Sequence, residues 1–246
     1  MAFAVGRPLT VIEALWAQHH IHLSDPPGGE PFGVERPRNA ETSDDRPVTL
    51  CAIGDSMVAG CGTDDQSEGL IPCIARELAS SCGRSIQWQA HGKLGATMRR
   101  VRYRMIPEVS ERCDILLLCA GSNDIMAGRT LDEWREDLAA SLDEAVGLSD
   151  CILVLSPGQM QNETSLGRTL RGELLRQMDA QAEVSQEVCI AHGARYVNMI
   201  HRDVKADLPD FYSTDHFHPS AVAYRRMAAS MVELLGSDFA RQVSSM

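Results

Sequence analysis

The stretch VTLCAIGDSMVAG, Val48 to Gly60, joins a continuous apolar run to a turn of small residues. Such a run is typical of a strand that is buried on both faces, as in a parallel sheet. A serine on the turn after that strand, here Ser56, would lie exposed at the carboxyl end of the sheet, where a nucleophile is expected. The same residues allow a second interpretation, in which Asp55 and Ser56 only cap a helix.

The rest of the chain repeats the alternation of an apolar run, a polar loop and a helical period. The predicted strands cover residues 48–53, 86–90, 114–120, 151–156 and 195–200. The predicted helices cover residues 68–82, 97–110, 130–146, 166–191 and 219–235, with Pro107 interrupting the second and Gly172 marking a break or a cap in the fourth. Strands that alternate with helices in this way predict an α/β domain with a parallel sheet covered on both faces. Ligands bind beyond the carboxyl ends of the strands in such sheets, so the loops there should hold the chemistry.

The segment before Val48 has a different character. Residues 9–19 predict a helix whose apolar face includes Trp16 and packs on the domain. Residues 24–47 are dense in proline, glycine and charge, which predicts an irregular linker. The sequence therefore divides into an N-terminal helix and linker (1–47), one α/β domain (48–238) and a tail (239–246).

Charge and composition exclude several classes of function. The chain has 246 residues with a net charge of −11, which repels phosphate backbones and anionic lipids and disfavours nucleic-acid binding. No apolar run approaches the roughly 20 residues that span a bilayer, and Glu13 interrupts the N-terminal apolar segment that a signal peptide would need. The eight cysteines show no Cys-x-x-Cys spacing and predict buried thiols in a reducing compartment. We therefore expect a soluble, cytoplasmic protein, while its oligomeric state is not indicated.

Two further loops carry weaker signals. HGKLGAT, His91 to Thr97, has two glycines that would let the backbone approach a ligand, although taken alone this loop is better explained as an ordinary turn. AGSNDIM, Ala120 to Met126, places Asn123 where its amide could donate to a developing oxyanion. The alternative is an Asx turn or a helix cap formed by Asn123 and Asp124.

The last loop, YSTDHFHPS from Tyr212 to Ser220, is open to three interpretations: half of a metal site, half of a proton-transfer pair, or the polar entry to a helix. Asp215 and His218 are three residues apart, a spacing that on a turn lets the carboxylate accept from imidazole Nδ1–H and leaves Nε2 free as a general base. A catalytic metal site needs about three protein ligands, and only His201 and Asp203 lie nearby in sequence, which disfavours the metal.

In this order, IGDSMVAG, GKLGAT, GSND and DHFHP resemble the four blocks of the SGNH (GDSL-type) esterase, lipase and thioesterase superfamily. The resemblance covers about residues 48 to 236. It implies a flavodoxin-like sandwich of five parallel strands between helices. It also implies that Ser56 is the nucleophile, His218 the general base and Asp215 the carboxylate that orients it.

The resemblance further implies an oxyanion hole formed by the backbone N–H of Ser56, the backbone N–H of Gly95 and the side chain of Asn123. Gly92 is the alternative to Gly95. No metal and no organic cofactor are implied.

The implied reaction is hydrolysis of a small ester through an acyl-enzyme, with thioesters and acetylated sugars as alternative substrates. The pocket walls are expected in SPGQMQNETS, Ser156 to Ser165, and in the segment after Met126. A non-catalytic binding module on the same fold is the rival from another class, because a fold does not fix a function.

Overall fold

The computed structural model describes residues 8–20, 23–37 and 46–246. Within these residues, six strands form one sheet: β1 (Phe32–Glu35), β2 (Val48–Gly54), β3 (Ile86–Gly92), β4 (Ile115–Cys119), β5 (Ile152–Leu155) and β6 (Arg195–Val197). The α-helices are α1 (Pro8–His20), α2 (Leu70–Cys82), α3 (Met98–Arg100), α4 (Ser122–Met126), α5 (Leu131–Ala145), α6 (Arg168–Ala191) and α7 (Ala221–Ser244). No helix within the described residues is long and apolar enough to cross a membrane.

The sheet has the strand order β1-β3-β2-β4-β5-β6, in which β2 to β6 are parallel and β1 is antiparallel to β3. Successive residues of β2 point to opposite faces, so Leu50 and Ala52 pack with α2 and α7 while Cys51 and Ile53 pack with α5 and α6. The predicted α/β sandwich is confirmed, and β2 and β4 are neighbours at the centre. Their carboxyl ends therefore bring the loops of Ser56 and Asn123 together.

The prediction of five strands and an irregular linker misses β1, which adds a sixth strand at the sheet edge. Residues 32–35 pair with β3 in the register Phe32 to Gln89 through Glu35 to Ile86. A Cβ at Gly33 would lie 2.9 Å from the Trp88 ring, so glycine leaves room for the indole of the neighbouring strand. Four residues that include a glycine give no alternating pattern, which explains why the sequence predicts a linker here.

The helix predicted over residues 97–110 is instead three short segments. The α-helical α3 continues into a π-helical turn over Val101–Met105 and a 3-10 turn over Ile106–Glu108. Pro107 lacks an N–H and crowds the preceding turn, so a regular α-helix does not continue through it. In contrast, α6 passes through Gly172 without a break.

The N-terminal helix packs differently from its apolar pattern. Ile12 is 62 % exposed and Trp16 51 % exposed, while Thr10 and Ala14 are buried. Glu13 Oε2 accepts a hydrogen bond of 2.6 Å from the Leu170 N–H in the first turn of α6. The Glu13 contact and the buried Ala14, which belongs to the same apolar cluster as Leu170 and Leu174 of α6, therefore hold α1, while Trp16 of the expected apolar face is exposed.

The predicted tail, residues 239–246, is mostly helix and belongs to the core. Helix α7 bends at Gly236, which has a φ of 76°, and then continues to Ser244. Phe239 and Val243 are almost completely buried against the face that carries α2. The domain therefore extends beyond the expected boundary at residue 238.

Phe239→Ala should lower the free energy of unfolding by about 3–5 kcal/mol, because it removes a fully buried aromatic ring. Leu234→Ala is the matched control on the same helix, since Leu234 is 42 % exposed, and should change stability by about 0.5 kcal/mol or less. Urea unfolding followed by circular dichroism measures both. Equal effects of the two substitutions would contradict a structural role for the end of α7.

Candidate active site

Ser56 lies on the turn that leaves the carboxyl end of β2. At Gly54, the last residue of β2, a Cβ would stand 1.9 Å from the Cys119 carbonyl oxygen, so only glycine allows this approach. Asp55 N–H donates to that carbonyl at 3.0 Å, and Asp55 Oδ1 accepts from Met57 N–H at 3.0 Å. The next regular α-helix begins only at Leu70. Asp55 and Ser56 therefore shape a turn and do not cap that helix.

The loop after β3 contains the two candidate glycines, and they differ in their surroundings. A Cβ at Gly92 would lie 2.0 Å from the Ala59 backbone nitrogen, so Gly92 lets β3 pass the Ser56 turn closely. Gly95 has a φ of 78° and open space where a Cβ would stand. Among the described residues, neither the Gly95 N–H nor the Ser56 N–H has a hydrogen-bond acceptor.

The loop after β4 is tied to the loop after β3 by two side chains. Asn123 Nδ2 donates to the Ala96 carbonyl at 3.0 Å, which occupies one of its two amide hydrogens. Asp124 Oδ2 accepts from the Met98 N–H at 3.0 Å. Asn123 thus reaches across to a neighbouring loop and makes no side-chain cap on α4. These contacts fix the position of the Asn123 amide relative to Gly95.

Asp215 and His218 form the hydrogen-bonded pair that their spacing predicts. Asp215 Oδ2 lies 2.7 Å from His218 Nδ1, and both side chains are at most 3 % exposed. Pro219 directly precedes the N-cap Ser220 of α7, so the pair is held on the turn that enters the last helix. His216 has a φ of 54° and is exposed to solvent.

The Asp215 carboxylate accepts four further hydrogen bonds. Oδ1 accepts from Ser213 Oγ at 2.8 Å and from the N–H groups of Phe217 and His218, both at 2.9 Å. Oδ2 accepts from the Ser24 N–H at 3.0 Å. Burial alone would raise the pKa of Asp215, but the hydrogen bonds from His218, Ser24 and Phe217 outweigh it and hold the pKa well below its ordinary value. The carboxylate therefore stays ionised beside the imidazole.

Ser56, Asn123 and His218 line one cavity of about 70 Å³. His218 Nε2 is buried and has no hydrogen-bond partner among the described residues, and the Ser56 hydroxyl does not hydrogen-bond to it in this structure. Asp215 lies behind His218, and Leu94 brings the Gly95 loop to the cavity wall. The sequence-predicted residues from the first, third and last loops thus meet at one place.

The structure gives the metal interpretation of the last loop no support. Within residues 8–20, 23–37 and 46–246, no group of three His, Cys, Asp or Glu side chains is arranged to hold a metal ion. His201 Nε2 instead contacts Asp179 at 2.7 Å.

Of the two segments expected to form the pocket walls, residues 156–165 contribute Gly158, Gln159, Met160 and Glu163. The segment after Met126 does not line the cavity, because no residue between 127 and 157 belongs to its wall, although Met126 itself does. Sequence reasoning missed Leu23 and Ser24, which reach the site from the N-terminal segment. It also missed Tyr212 as a wall residue, although the quoted last loop begins there. A lone Leu-Ser before a proline-rich stretch carries no pattern that could have revealed its position.

Two other buried aspartates differ from Asp215. Burial raises the pKa of Asp55 to about 6, against the hydrogen bond from Met57 N–H and the nearby His218. Burial also raises the pKa of Asp124 to about 7, only partly offset by the Met98 N–H and the Arg129 guanidinium. Arg129 Nε is 3.8 Å from Asp124 Oδ1. The other two nitrogens of the Arg129 guanidinium pair with Glu133 and Asp137 of α5, so its charge is divided among three carboxylates.

Comparison with known proteins places this chain in a family. Residues 52–226 match the GDSL-like Lipase/Acylhydrolase family. The enzyme LAE5 from the metagenome of Lake Arreo, Spain, described as an alpha/beta hydrolase, superimposes with a TM-score of 0.61 at 19 % identity, covering 77 % of this chain and 95 % of its own. A variant of the acetyl xylan esterase Axe2 from Geobacillus stearothermophilus gives 0.59 at 20 % identity, covering 77 % and 94 %.

A putative lipolytic protein of the G-D-S-L family from Desulfitobacterium hafniense also gives a TM-score of 0.59, at 14 % identity, with 75 % of this chain and 97 % of that chain covered. A search of curated proteins finds no match. Because the family match spans most of the domain, the chain belongs to the GDSL-like lipase/acylhydrolase family and is a carboxylic ester hydrolase.

Ser24→Pro should destabilise the protein relative to Ser24→Ala at neutral pH, by about 1–3 kcal/mol, because proline has no N–H to donate to the Asp215 carboxylate. Alanine keeps that donor and is the matched control. Because the pKa of Asp215 is lowered, its hydrogen-bonded carboxylate stabilises the folded protein at pH values above the ordinary carboxyl pKa. This contribution is lost as the pH falls through the folded-state pKa. Urea unfolding should therefore show the gap between the variants narrowing in acid, whereas a constant gap would contradict the contact.

Asp124→Asn should become more stable than the wild type as the pH rises from about 4 to 8. Because the folded-state pKa is raised to about 7, the folded wild type binds the proton more tightly and loses stability as the pH rises through this window. Asparagine keeps an oxygen for Met98 N–H and does not ionise. Unfolding curves at pH 5 and pH 8 measure the change, with Asp64→Asn as a surface control. A pH-independent difference between Asp124→Asn and the wild type would refute the argument.

Proposed function

We propose that this hydrolase cleaves small carboxylic esters by two-step acyl transfer on Ser56. The observation that carries the proposal is the buried His218, whose Nδ1 is held by an ionised Asp215 while its Nε2 has no partner among the described residues and lines the same cavity as Ser56. An imidazole held in one orientation with a free nitrogen toward a hydroxyl is the arrangement that a general base requires.

In the first step, His218 Nε2 takes the hydroxyl proton while Ser56 Oγ bonds to the ester carbonyl carbon. The carbonyl π electrons move to oxygen and form a tetrahedral oxyanion. Collapse of this intermediate breaks the bond to the alcohol oxygen, which leaves with the proton from His218. In the second step, His218 deprotonates a water that attacks the acyl-enzyme, and the acid and free Ser56 are released.

The oxyanion is assigned to three donors: the N–H of Ser56, the N–H of Gly95 and the second amide hydrogen of Asn123. The two backbone groups have no other acceptor among the described residues, which supports this assignment. Gly95 is favoured over Gly92 because Gly92 is packed against the Ala59 backbone. Donors that are fixed before the reaction stabilise the developing charge without reorganisation.

The proposed substrates carry short acyl groups, because the cavity is only about 70 Å³. Thioesters share the same carbonyl chemistry and remain alternatives. The eight free cysteines, six of them buried, support the reducing cytoplasm as the location.

Ser56→Ala should lower kcat/KM for p-nitrophenyl acetate by at least about 10³ and abolish labelling by a fluorophosphonate, because no nucleophile remains. Ser80→Ala, an exposed serine on α2, is the matched control and should keep both activities. If the Ser56→Ala protein still hydrolyses and labels like the control, Ser56 is not the nucleophile. If the wild type does neither, the proposed cleavage of small esters through Ser56 is wrong.

A further inference from the structure

Leu23 reaches the active-site cavity from a part of the chain that the family match does not include. It lines the same cavity as Ser56, whereas the family match begins at residue 52. Leu23 is 43 % exposed, while Met57, Met160 and Met227, which also line this cavity, are at most 7 % exposed. Leu23 therefore lies at the mouth of the cavity, and the three methionines belong to its buried part.

The segment that carries Leu23 is attached to the domain by backbone hydrogen bonds. The next residue, Ser24, donates its N–H to Asp215 Oδ2 at 3.0 Å. Four residues further on, the Gly28 carbonyl accepts from the Gln66 N–H at 2.8 Å. Two prolines lie between these attachments and restrict the backbone there. Leu23 is therefore held in place before a ligand binds, so a contact with it costs little conformational entropy.

The neighbours of Leu23 indicate which part of an ester meets it. The Asp215 oxygen that accepts from the Ser24 N–H is the same one that lies 2.7 Å from His218 Nδ1. Phe217, another wall residue, packs its ring edge-on against the His218 ring, with the ring centroids 5.2 Å apart. In the proposed reaction His218 delivers its proton to the departing oxygen. The alcohol portion of the ester therefore extends from His218 toward Leu23 and Phe217.

The shape of the cavity supports the same orientation. The alcohol has to leave before water attacks the acyl-enzyme, so its place is toward the open mouth, where Leu23 lies. The acyl group stays bonded to Ser56 during that exchange and can occupy the buried part of the cavity. The volume of about 70 Å³ limits that group to a short chain.

We propose that Leu23 and Phe217 form an apolar subsite for the alcohol portion of the ester, and that Leu23 determines the specificity of this subsite. The inference rests on the proposed function and specifies that the preferred alcohols carry an apolar group close to the ester oxygen. Neither side chain has a hydrogen-bond donor or acceptor, so a polar alcohol would lose hydrogen bonds to water and gain none from them. An apolar group is stabilised there because it leaves water.

The test compares benzyl acetate with ethyl acetate, which share the acyl group and differ in the apolar area of the alcohol. The wild type should show a higher kcat/KM for benzyl acetate. Leu23→Ala should lower kcat/KM for benzyl acetate by about 5- to 20-fold and that for ethyl acetate by less than about threefold, because it removes apolar contact area. Leu23→Met keeps a large apolar side chain and should hold kcat/KM for benzyl acetate within about threefold of the wild type.

Two controls accompany this comparison. Leu131→Ala is the matched variant, because Leu131 is also 43 % exposed but does not line the cavity, and it should change neither kcat/KM value. The ratio of kcat/KM for ethyl butyrate to that for ethyl acetate reports on the acyl side and should be the same in Leu23→Ala as in the wild type.

Fluorophosphonate labelling separates the two proposals, since a wild type that neither labels nor hydrolyses these esters would refute the proposed function itself. With labelling intact, an equal loss on benzyl acetate and ethyl acetate in Leu23→Ala would overturn the subsite, because it would reflect a displaced Ser24 N–H and not a lost substrate contact. A change confined to the ethyl butyrate ratio would also overturn it, because Leu23 would then contact the acyl group.

Discussion

The candidate site depends on a steric constraint: three backbone segments approach at the carboxyl edge of the sheet more closely than any side chain would allow. A Cβ would lie 1.9 Å from the Cys119 oxygen at Gly54, 2.0 Å from the Ala59 nitrogen at Gly92 and 2.3 Å from the Pro219 oxygen at Gly62. Cβ atoms are never found so close to backbone, so these three glycines let the Ser56 turn pack against β4, β3 and the His218 turn. The convergence of loops from distant parts of the chain follows from this packing.

Three aspartates lie near these loops, and their pKa values shift in opposite directions: the pKa of Asp215 is lowered, whereas those of Asp55 and Asp124 are raised. Asp215 accepts five hydrogen bonds, three of them from backbone amides, and its pKa is lowered despite burial. Asp55 and Asp124 each accept one backbone N–H, and burial raises the pKa of both. Asp215 is also less deeply buried than Asp55 and Asp124. More local donors and a smaller cost of burial together keep its carboxylate charged beside the imidazole.

The sequence predicts what depends on strong local pattern and fails where position depends on tertiary contacts. Five apolar runs predict the parallel strands, and the i, i+3 spacing of Asp215 and His218 predicts their hydrogen bond. The edge strand at Phe32–Glu35 is not predicted, because its Gly33 weakens the strand pattern. That glycine is required by the Trp88 ring of the neighbouring strand, which leaves no room for a Cβ. The orientation of α1 is misjudged because Glu13 and the buried Ala14 provide its contact to α6, while Ile12 and Trp16 are exposed.

The hydrogen bond between Ser24 and Asp215 joins residues that are 191 positions apart. Ser24 lies outside the family match, and Asp215 lies inside it. During translation the amide leaves the ribosome early, whereas its acceptor and the last helix follow only after the sheet strands have been made. Closing so long a loop has an entropic cost that local contacts do not carry. In a nascent chain, the Ser24 amide therefore lacks this acceptor until residue 215 has been synthesised and the last loop has folded back onto the N-terminal segment.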